Sequence, residues 1–317
     1  MSQTTAFNAP NSSLFYKSPR SNDVRLGEIA KVICESDIPS LEPGFVLYGY
    51  PDDDGIRANF GRLGAREAPD AIRTALYKMT PPSDKQPAFF DLGNLNLAGD
   101  LRERQVRGSS TVARVLQAGH RALAMGGGHD YAFSDGNAFL NSYHGRRPLV
   151  INFDAHLDVR PDSDGPNSGS GFYQLLTAHQ NFDFVEIGLQ PHCNSLAHRR
   201  WTEQFHKITL LDLSKVQGRL TAALAPFMKM RRPTYLSVDI DVFSSAFAPG
   251  ASASYATGLD PNEFLPVLRQ MAAKMDIRVF GIYEVSPPLD FANKTSQLAA
   301  ILFHTFLYGA RHVKSRK

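Results

Sequence analysis

The chain has 317 residues but only two cysteines, Cys34 and Cys193. They stand far apart and in no CxxC pattern, which excludes a disulfide framework and a thiolate metal site. Any metal must then be held by oxygen and nitrogen. No apolar run approaches the ~18 residues a membrane helix needs. The opening stretch, Met1 to Arg20, is polar and has no apolar core of the kind a secretory leader carries. A reducing, cytoplasmic setting is the expectation. No excess of one charge sign exists either: 34 Lys+Arg against 31 Asp+Glu leaves +3. No basic block or stripe accompanies that balance, so neither a nucleic-acid nor a membrane partner is expected. No internal repeat, low-complexity tract or Pro/Ser linker divides the chain.

What is present is ordinary globular material. The sequence is 43% hydrophobic and 21% charged, which is enough to bury roughly 75% of the unfolded surface at this size. Residues 1–23, rich in Ser, Asn, Thr and Pro, read as an extended or flexible arm. From residue 24 to 317, short apolar runs alternate with helical patterns. Candidate strands are Phe45–Tyr50, Ala88–Leu92, Arg121–Met125, Pro148–Phe153, Phe182–Ile187, Lys207–Leu211, Thr234–Val238 and Arg278–Tyr283. Helical patterns between them include Gly108–Ala118, Ser134–Tyr143, Leu196–His206 and Pro261–Lys274, the last with Asp260 as N-cap and Pro at the first position. Strands without polar alternation, each followed by a helix, indicate one α/β domain with a mostly parallel sheet covered on both faces. Ligands of such sheets bind beyond the carboxyl ends of the strands.

Four of those ends carry chemistry. After Met125 comes Gly126-Gly127-Gly128-His129-Asp130. After Phe153 comes Asp154-Ala155-His156-Leu157-Asp158. After Val238 comes Asp239-Ile240-Asp241, and after Tyr283 comes Glu284-Val285-Ser286-Pro287-Pro288. Alternate residues of an extended chain face the same way. Asp154, His156 and Asp158 therefore share a side, as do Asp239 and Asp241, and the glycines free the backbone to aim His129 at the same place. Bare carboxylates crowded at a sheet edge are costly. Two divalent cations offset the charge, and a pair ~3.5–4 Å apart is a known hydrolytic arrangement. Oxygen-rich ligands with some imidazole favour Mn²⁺ or a similar ion. Each motif alone has a bland reading as a capped turn or a solvated strand end; their agreement on one sheet edge is what points to a site.

GGGHD, NFDAHLD, SVDID and EVSPPLD resemble the metal-binding motifs of the ureohydrolase family, which includes arginase, agmatinase and formimidoylglutamase, and the match spans about residues 45–310. The resemblance implies an arginase-like three-layer α/β/α sandwich with a sheet of about eight strands, two Mn²⁺ per subunit, and a trimer or hexamer. By the same resemblance one metal is held by His129, Asp154, Asp158 and Asp239. The other is held by Asp154, His156, Asp239 and Asp241, with Asp154 and Asp239 bridging. The implied reaction is hydrolysis of a guanidinium or amidinium carbon, with Asp158 relaying a proton and Glu284 pairing with the substrate cation.

Departures narrow the choice. Phe172 stands where arginases carry a His, and Ser168 replaces the His of agmatinases. Arg160 occupies the position of an arginase Asn and offers a charged fork to a carboxylate; its bland reading is an ion pair with Asp162 or Asp164. The segment after Gly188-Leu189-Gln190 lacks acidic residues, which leaves Asn194 as the candidate polar contact there. A small amidine substrate with carboxylates fits, Arg160, Ser168 and Ser170 receiving the acid groups. N-Formimidoyl-L-glutamate is the best match. A guanidino-acid hydrolase, a single-zinc deacylase on the same scaffold and a metal-stabilised binding protein are the alternatives. The remaining histidines, His198 among them, read as ordinary surface or core residues.

Overall fold

The structure, a computed structural model, describes residues 5–310. The first four residues of the expected arm and the last seven of the chain lie outside the described residues. Among the described residues ten strands form one sheet: β1 Phe7–Asn8, β2 Lys31–Val32, β3 Phe45–Gly49, β4 Phe89–Leu95, β5 Arg121–Met125, β6 Leu149–Phe153, β7 Asp183–Leu189, β8 Ile208–Asp212, β9 Pro233–Asp239 and β10 Asp276–Tyr283. Their order is β1-β4-β3-β5-β10-β9-β6-β7-β8, with β2 beside β4. Every pair is parallel except β1 with β4. The eight strands expected from the sequence are all present. The two additional ones have two residues each, too short to carry a periodic signal. Part of the N-terminal arm thus joins the sheet, with Phe7 opposite Leu95.

Side-chain alternation along the strands splits the core into two layers. Phe45, Leu47, Ile151, Phe153, Leu236 and Val238 face one way, against the helices Ala68–Leu76, Pro261–Lys274 and Lys294–Gly309. Val46, Tyr48, Val150, Tyr235 and Val279 face the other, against Leu101–Gln117, Tyr131–Tyr143 and Gly171–Ala178. This is the three-layer α/β/α sandwich. The helix expected to begin at Gly108 begins at Leu101. Asp100 accepts from the Glu103 amide at 2.9 Å and Glu103 accepts from the Asp100 amide at 3.0 Å, a capping box that starts the helix two turns earlier. Leu196–Thr202 is shorter than expected.

One buried polar cluster pins β4 to its covering helix. Arg73 and Asp91 are both fully buried and form a two-pronged pair at 2.8 Å, Nε to Oδ2 and Nη2 to Oδ1. Arg73 also donates to the Asn94 side chain at 2.6 Å. Removing one partner strands a buried charge. Asp91→Asn is therefore expected to cost about 3 kcal/mol, read as a lower urea midpoint with an unchanged slope.

The four motif strands, β5, β10, β9 and β6, are consecutive in the sheet and parallel. Ile282 pairs with Met125, Tyr283 with Asp239, and Phe153 with Val238. All four chains therefore leave the sheet at one level, side by side.

Candidate metal centre

The loops beyond those strands interlock through their backbones. Gly126 donates to the Ile282 carbonyl at 2.6 Å, and Glu284 donates back to Gly127 at 2.9 Å. Gly127 has φ +129°, and a Cβ there would lie 2.5 Å from the Asp52 carbonyl and 2.6 Å from that of Tyr50. Only glycine fits that passage. Two non-glycine residues of the site, Asp158 (φ 49°) and Glu284 (φ 65°), are also left-handed. Such backbone costs about 1 kcal/mol or more and persists where neighbours fix it. Here the Asp158 carbonyl accepts from Phe172 at 3.1 Å and from Tyr173 at 3.2 Å.

The six expected ligands converge. His129 Nδ1 lies 2.8 Å from Asp158 Oδ2, 3.0 Å from Asp154 Oδ2 and 3.2 Å from Asp239 Oδ2. His156 Nδ1 lies 3.0 Å from Asp241 Oδ2 and 3.4 Å from Asp154 Oδ1. Asp154 turns one oxygen to each imidazole and so joins two ligand groups, one with His129, Asp158 and Asp239, the other with His156 and Asp241. Asp239 joins the first group; its Oδ1 accepts from the Asp241 amide at 2.9 Å, and the second group closes without it.

The outer ring nitrogens are spoken for. His129 Nε2 is 2.9 Å from Ser237 Oγ, and His156 Nε2 is 3.0 Å from the Tyr255 hydroxyl. Such partners fix the ring orientation and present the other nitrogen to a metal. The His129 ring stacks on Tyr283, centroids 5.0 Å apart, and meets Phe172 edge-on at 5.5 Å. Tyr283 in turn donates to the buried Asp135, which also accepts from Tyr48 at 2.7 Å and Tyr50 at 2.6 Å.

Charge explains what the cluster is for. Burial pushes Asp239 well above the usual carboxylate range, helped by the charges of Asp241 and Asp154. Burial likewise raises Asp241 to about 6. Burial works against charged His129 and His156, yet the carboxylates packed on them hold both well above 6.5. The buried His129 Nδ1 meets hydrogen-bond geometry with none of its three close oxygens. An imidazole nitrogen facing three carboxylates without bonding any, its other nitrogen engaged, is the donor arrangement a divalent cation fits.

A family model described as the arginase family matches residues 43–309. The chain belongs to the arginase family. Among its relatives, formimidoylglutamase of Streptococcus gordonii is 35% identical over 83% of this chain and 84% of its own length. Formimidoylglutamase of Streptococcus pyogenes serotype M3 is 33% identical over 96% of this chain and 98% of its own. The crystal structure of Trypanosoma cruzi formiminoglutamase with two Mn²⁺ superposes with a TM-score of 0.82, at 29% identity, covering 91% of this chain and 98% of that one.

In this arginase-family chain a cavity of about 240 Å³ opens over the ligands. Glu284 lines it and is buried; its Oε1 accepts from the His129 amide at 2.9 Å and its Oε2 from Ser252. Burial raises Glu284 to about 7. Arg160 and Ser168 line the cavity as expected. Two other expected contacts have side chains engaged with backbone. Ser170 is fully buried, with its hydroxyl donating to the Asn167 carbonyl at 2.8 Å and accepting from the Asn167 amide at 2.9 Å. Asn194 reaches the cavity wall, but its amide is spent on backbone. It accepts from Leu157 at 2.8 Å and donates to Ala155 at 2.7 Å and Gln190 at 2.9 Å. Its work is to hold the Asp154–Asp158 loop in shape.

Sequence reasoning missed Ser237, Asn59, Ser252, Tyr255 and His198. Ser237 precedes Asp239 by two on β9, so strand alternation pointed to it. The others stand in loops or a short helix, where no periodic signal marks them.

Proposed function

We propose that this chain hydrolyses N-formimidoyl-L-glutamate to L-glutamate and formamide with two Mn²⁺. His129, Asp154, Asp158 and Asp239 would hold one ion, and Asp154, His156 and Asp241 would hold the other. Bound there, such a pair supplies hydroxide at neutral pH by lowering the pKa of water from 15.7 towards ~7. Glu284 is placed to pair with the amidinium and orient its carbon towards the ligand cluster. Its raised pKa, about 7, falls when a cation docks beside it, so the carboxylate is charged when it is needed. Asp158, in reach of both His129 and the cavity, moves the proton to the leaving nitrogen.

The observation that carries the substrate is Arg160. Its guanidinium lines the cavity and has no acidic partner among the described residues. Asp162, which could have neutralised it, pairs with Arg102 at 3.2 Å. A free guanidinium opposite a cation-binding carboxylate fits a substrate that is an amidine at one end and an acid at the other. A Mn²⁺-loaded panel of N-formimidoyl-L-glutamate, 4-guanidinobutyrate, agmatine and L-arginine tests this. Preference for agmatine, which has no carboxylate, overturns the assignment. Arg160→Ala is expected to raise KM for formimidoylglutamate roughly 10- to 100-fold with a smaller change in kcat. An equal loss on agmatine shows a structural role instead.

The remaining expectations belong to the same reading. Residues 24–317 act as one catalytic domain, supported by the single sheet with core on both faces. The enzyme works in the cytoplasm, supported by two cysteines that are both unpaired. Among the described residues no helix is long and apolar enough to cross a membrane. It assembles as a trimer or hexamer, supported by the family resemblance alone.

A further inference from the structure

The acid end of the cavity holds more than Arg160. The Arg160 side chain runs across Gly169, where an added Cβ would lie 2.7 Å from its Cδ and 2.9 Å from its Nε. The Asn59 side-chain nitrogen is 3.2 Å from the same point. Asn59 donates one N–H to Ser168 Oγ at 3.0 Å and has a second to give. On the wall beside them is the half-buried His198. Its backbone amide donates to Ser195 Oγ at 3.1 Å, but its ring has no hydrogen-bond partner among the described residues. Burial lowers the His198 pKa, and the Arg160 charge lowers it further against a weaker pull from Asp158. The ring is then a neutral N–H donor near pH 7.

Donors of three kinds thus surround one end of a small cavity: the Arg160 guanidinium, the His198 ring and the second N–H of Asn59, the first being already given to Ser168. Arg160 is exposed and Asn59 and His198 are half-buried, so water meets these donors in the free protein and a ligand with acceptor groups takes its place on binding. One carboxylate engages one guanidinium fork; it does not also need an imidazole and an amide.

We propose that His198, assisted by Asn59, is a specificity-determining residue that receives a second carboxylate beside the one held by Arg160, so that the pocket selects amidines built on dicarboxylic amino acids. This rests on the formimidoylglutamate reading and extends it to the half of the substrate that does not react. It also separates the chain's preferred substrate from monocarboxylic guanidino acids, which satisfy Arg160 alone.

The test uses the Mn²⁺-loaded full chain and two readouts. The first is the Kd of L-glutamate against that of 4-aminobutyrate and 2-aminobutyrate, each lacking one carboxylate, measured by calorimetry. The second is kcat/KM for the corresponding N-formimidoyl compounds. In the unaltered enzyme the dicarboxylate is favoured in both. In His198→Ala, glutamate binding and kcat/KM on formimidoylglutamate fall about 10-fold or more. One monocarboxylate, the one lacking the carboxylate that His198 receives, is unaffected. His198→Gln, which keeps an N–H donor, recovers most of the loss. Equal losses on all three compounds, no loss on any, or His198→Gln no better than His198→Ala each overturn the proposal. If the unaltered enzyme hydrolyses none of the formimidoyl compounds yet binds glutamate with the expected His198 dependence, the proposed reaction fails while the dicarboxylate site stands.

Discussion

Asp154→Ala is expected to leave the folded chain with less than one manganese per subunit and to lower kcat/KM roughly 10³-fold or more. The reason is geometric. Asp154 is fully buried and is shared by both ligand groups, one oxygen 3.0 Å from His129 Nδ1 and the other 3.4 Å from His156 Nδ1. No other residue of the six joins both groups. Truncating Asp158 removes a ligand from one group only, so Asp158→Ala should keep one ion where Asp154→Ala keeps fewer. Metal analysis beside circular dichroism separates ligand loss from unfolding. Two ions retained in Asp154→Ala would sink the ligand scheme.

Chelation and pH should act together on stability. In the metal-free chain Asp241 is raised to about 6 and Glu284 to about 7, and Asp239, His129 and His156 are raised as well. A group with a raised folded pKa binds more protons folded than unfolded. Its share of stability is present at low pH and is lost as pH climbs from the unfolded value through the folded one. Acids and imidazoles here have the same sign, and their windows follow one another from about pH 4 to above pH 7. Asp154, held below the usual range by His129 and His156 against its own burial, keeps its share throughout that interval. The Tm of chelated protein is therefore expected to fall between pH 5.5 and 8. Manganese must displace those protons, so its apparent affinity rises with pH. Each ion at about a thousand times its Kd adds ~4 kcal/mol, and two raise Tm on the order of 15 °C. The gap between manganese-loaded and chelated melting should widen from pH 6 to pH 8. A gap that stays constant or narrows would show that these groups are not what the metals displace.

The sequence made the metal-ligand end of this site readable and the other end only in part, through Arg160 and Ser168, and the physics differs between the two. Asp154, His156 and Asp158 follow an apolar strand at two-residue spacing, and charge buried directly after a core strand is too costly to stand there without a counter-charge. The sheet order that sets β5, β10, β9 and β6 side by side was not needed to see them; parallel strands bring their carboxyl ends to one edge in any order. Substrate contacts obey no such rule. Asn194 and Ser170 have the right chemistry near the right motif, yet a hydrogen-bonding group serves a loop backbone as readily as a ligand. His198 stands in a two-turn helix where one imidazole looks like any other. What distinguishes them is the backbone hydrogen bonds that Asn194 and Ser170 already make. Likewise β1 and β2 are held by pairing to β4 rather than by any pattern of their own.

The sheet order carries a kinetic consequence. β5 closes on β10 and β6 on β9, so the central neighbours are distant along the polypeptide. High contact order of this kind slows folding, because long loops must close before the contacts that reward them exist. On the ribosome, His129 and Asp154 emerge well before Asp239, and β10 comes later still. β5 has β3 and β6 has β7 to pair with early, but the edges that face β10 and β9 stay open until those strands emerge, and neither ligand group is complete before Asp239 and Asp241.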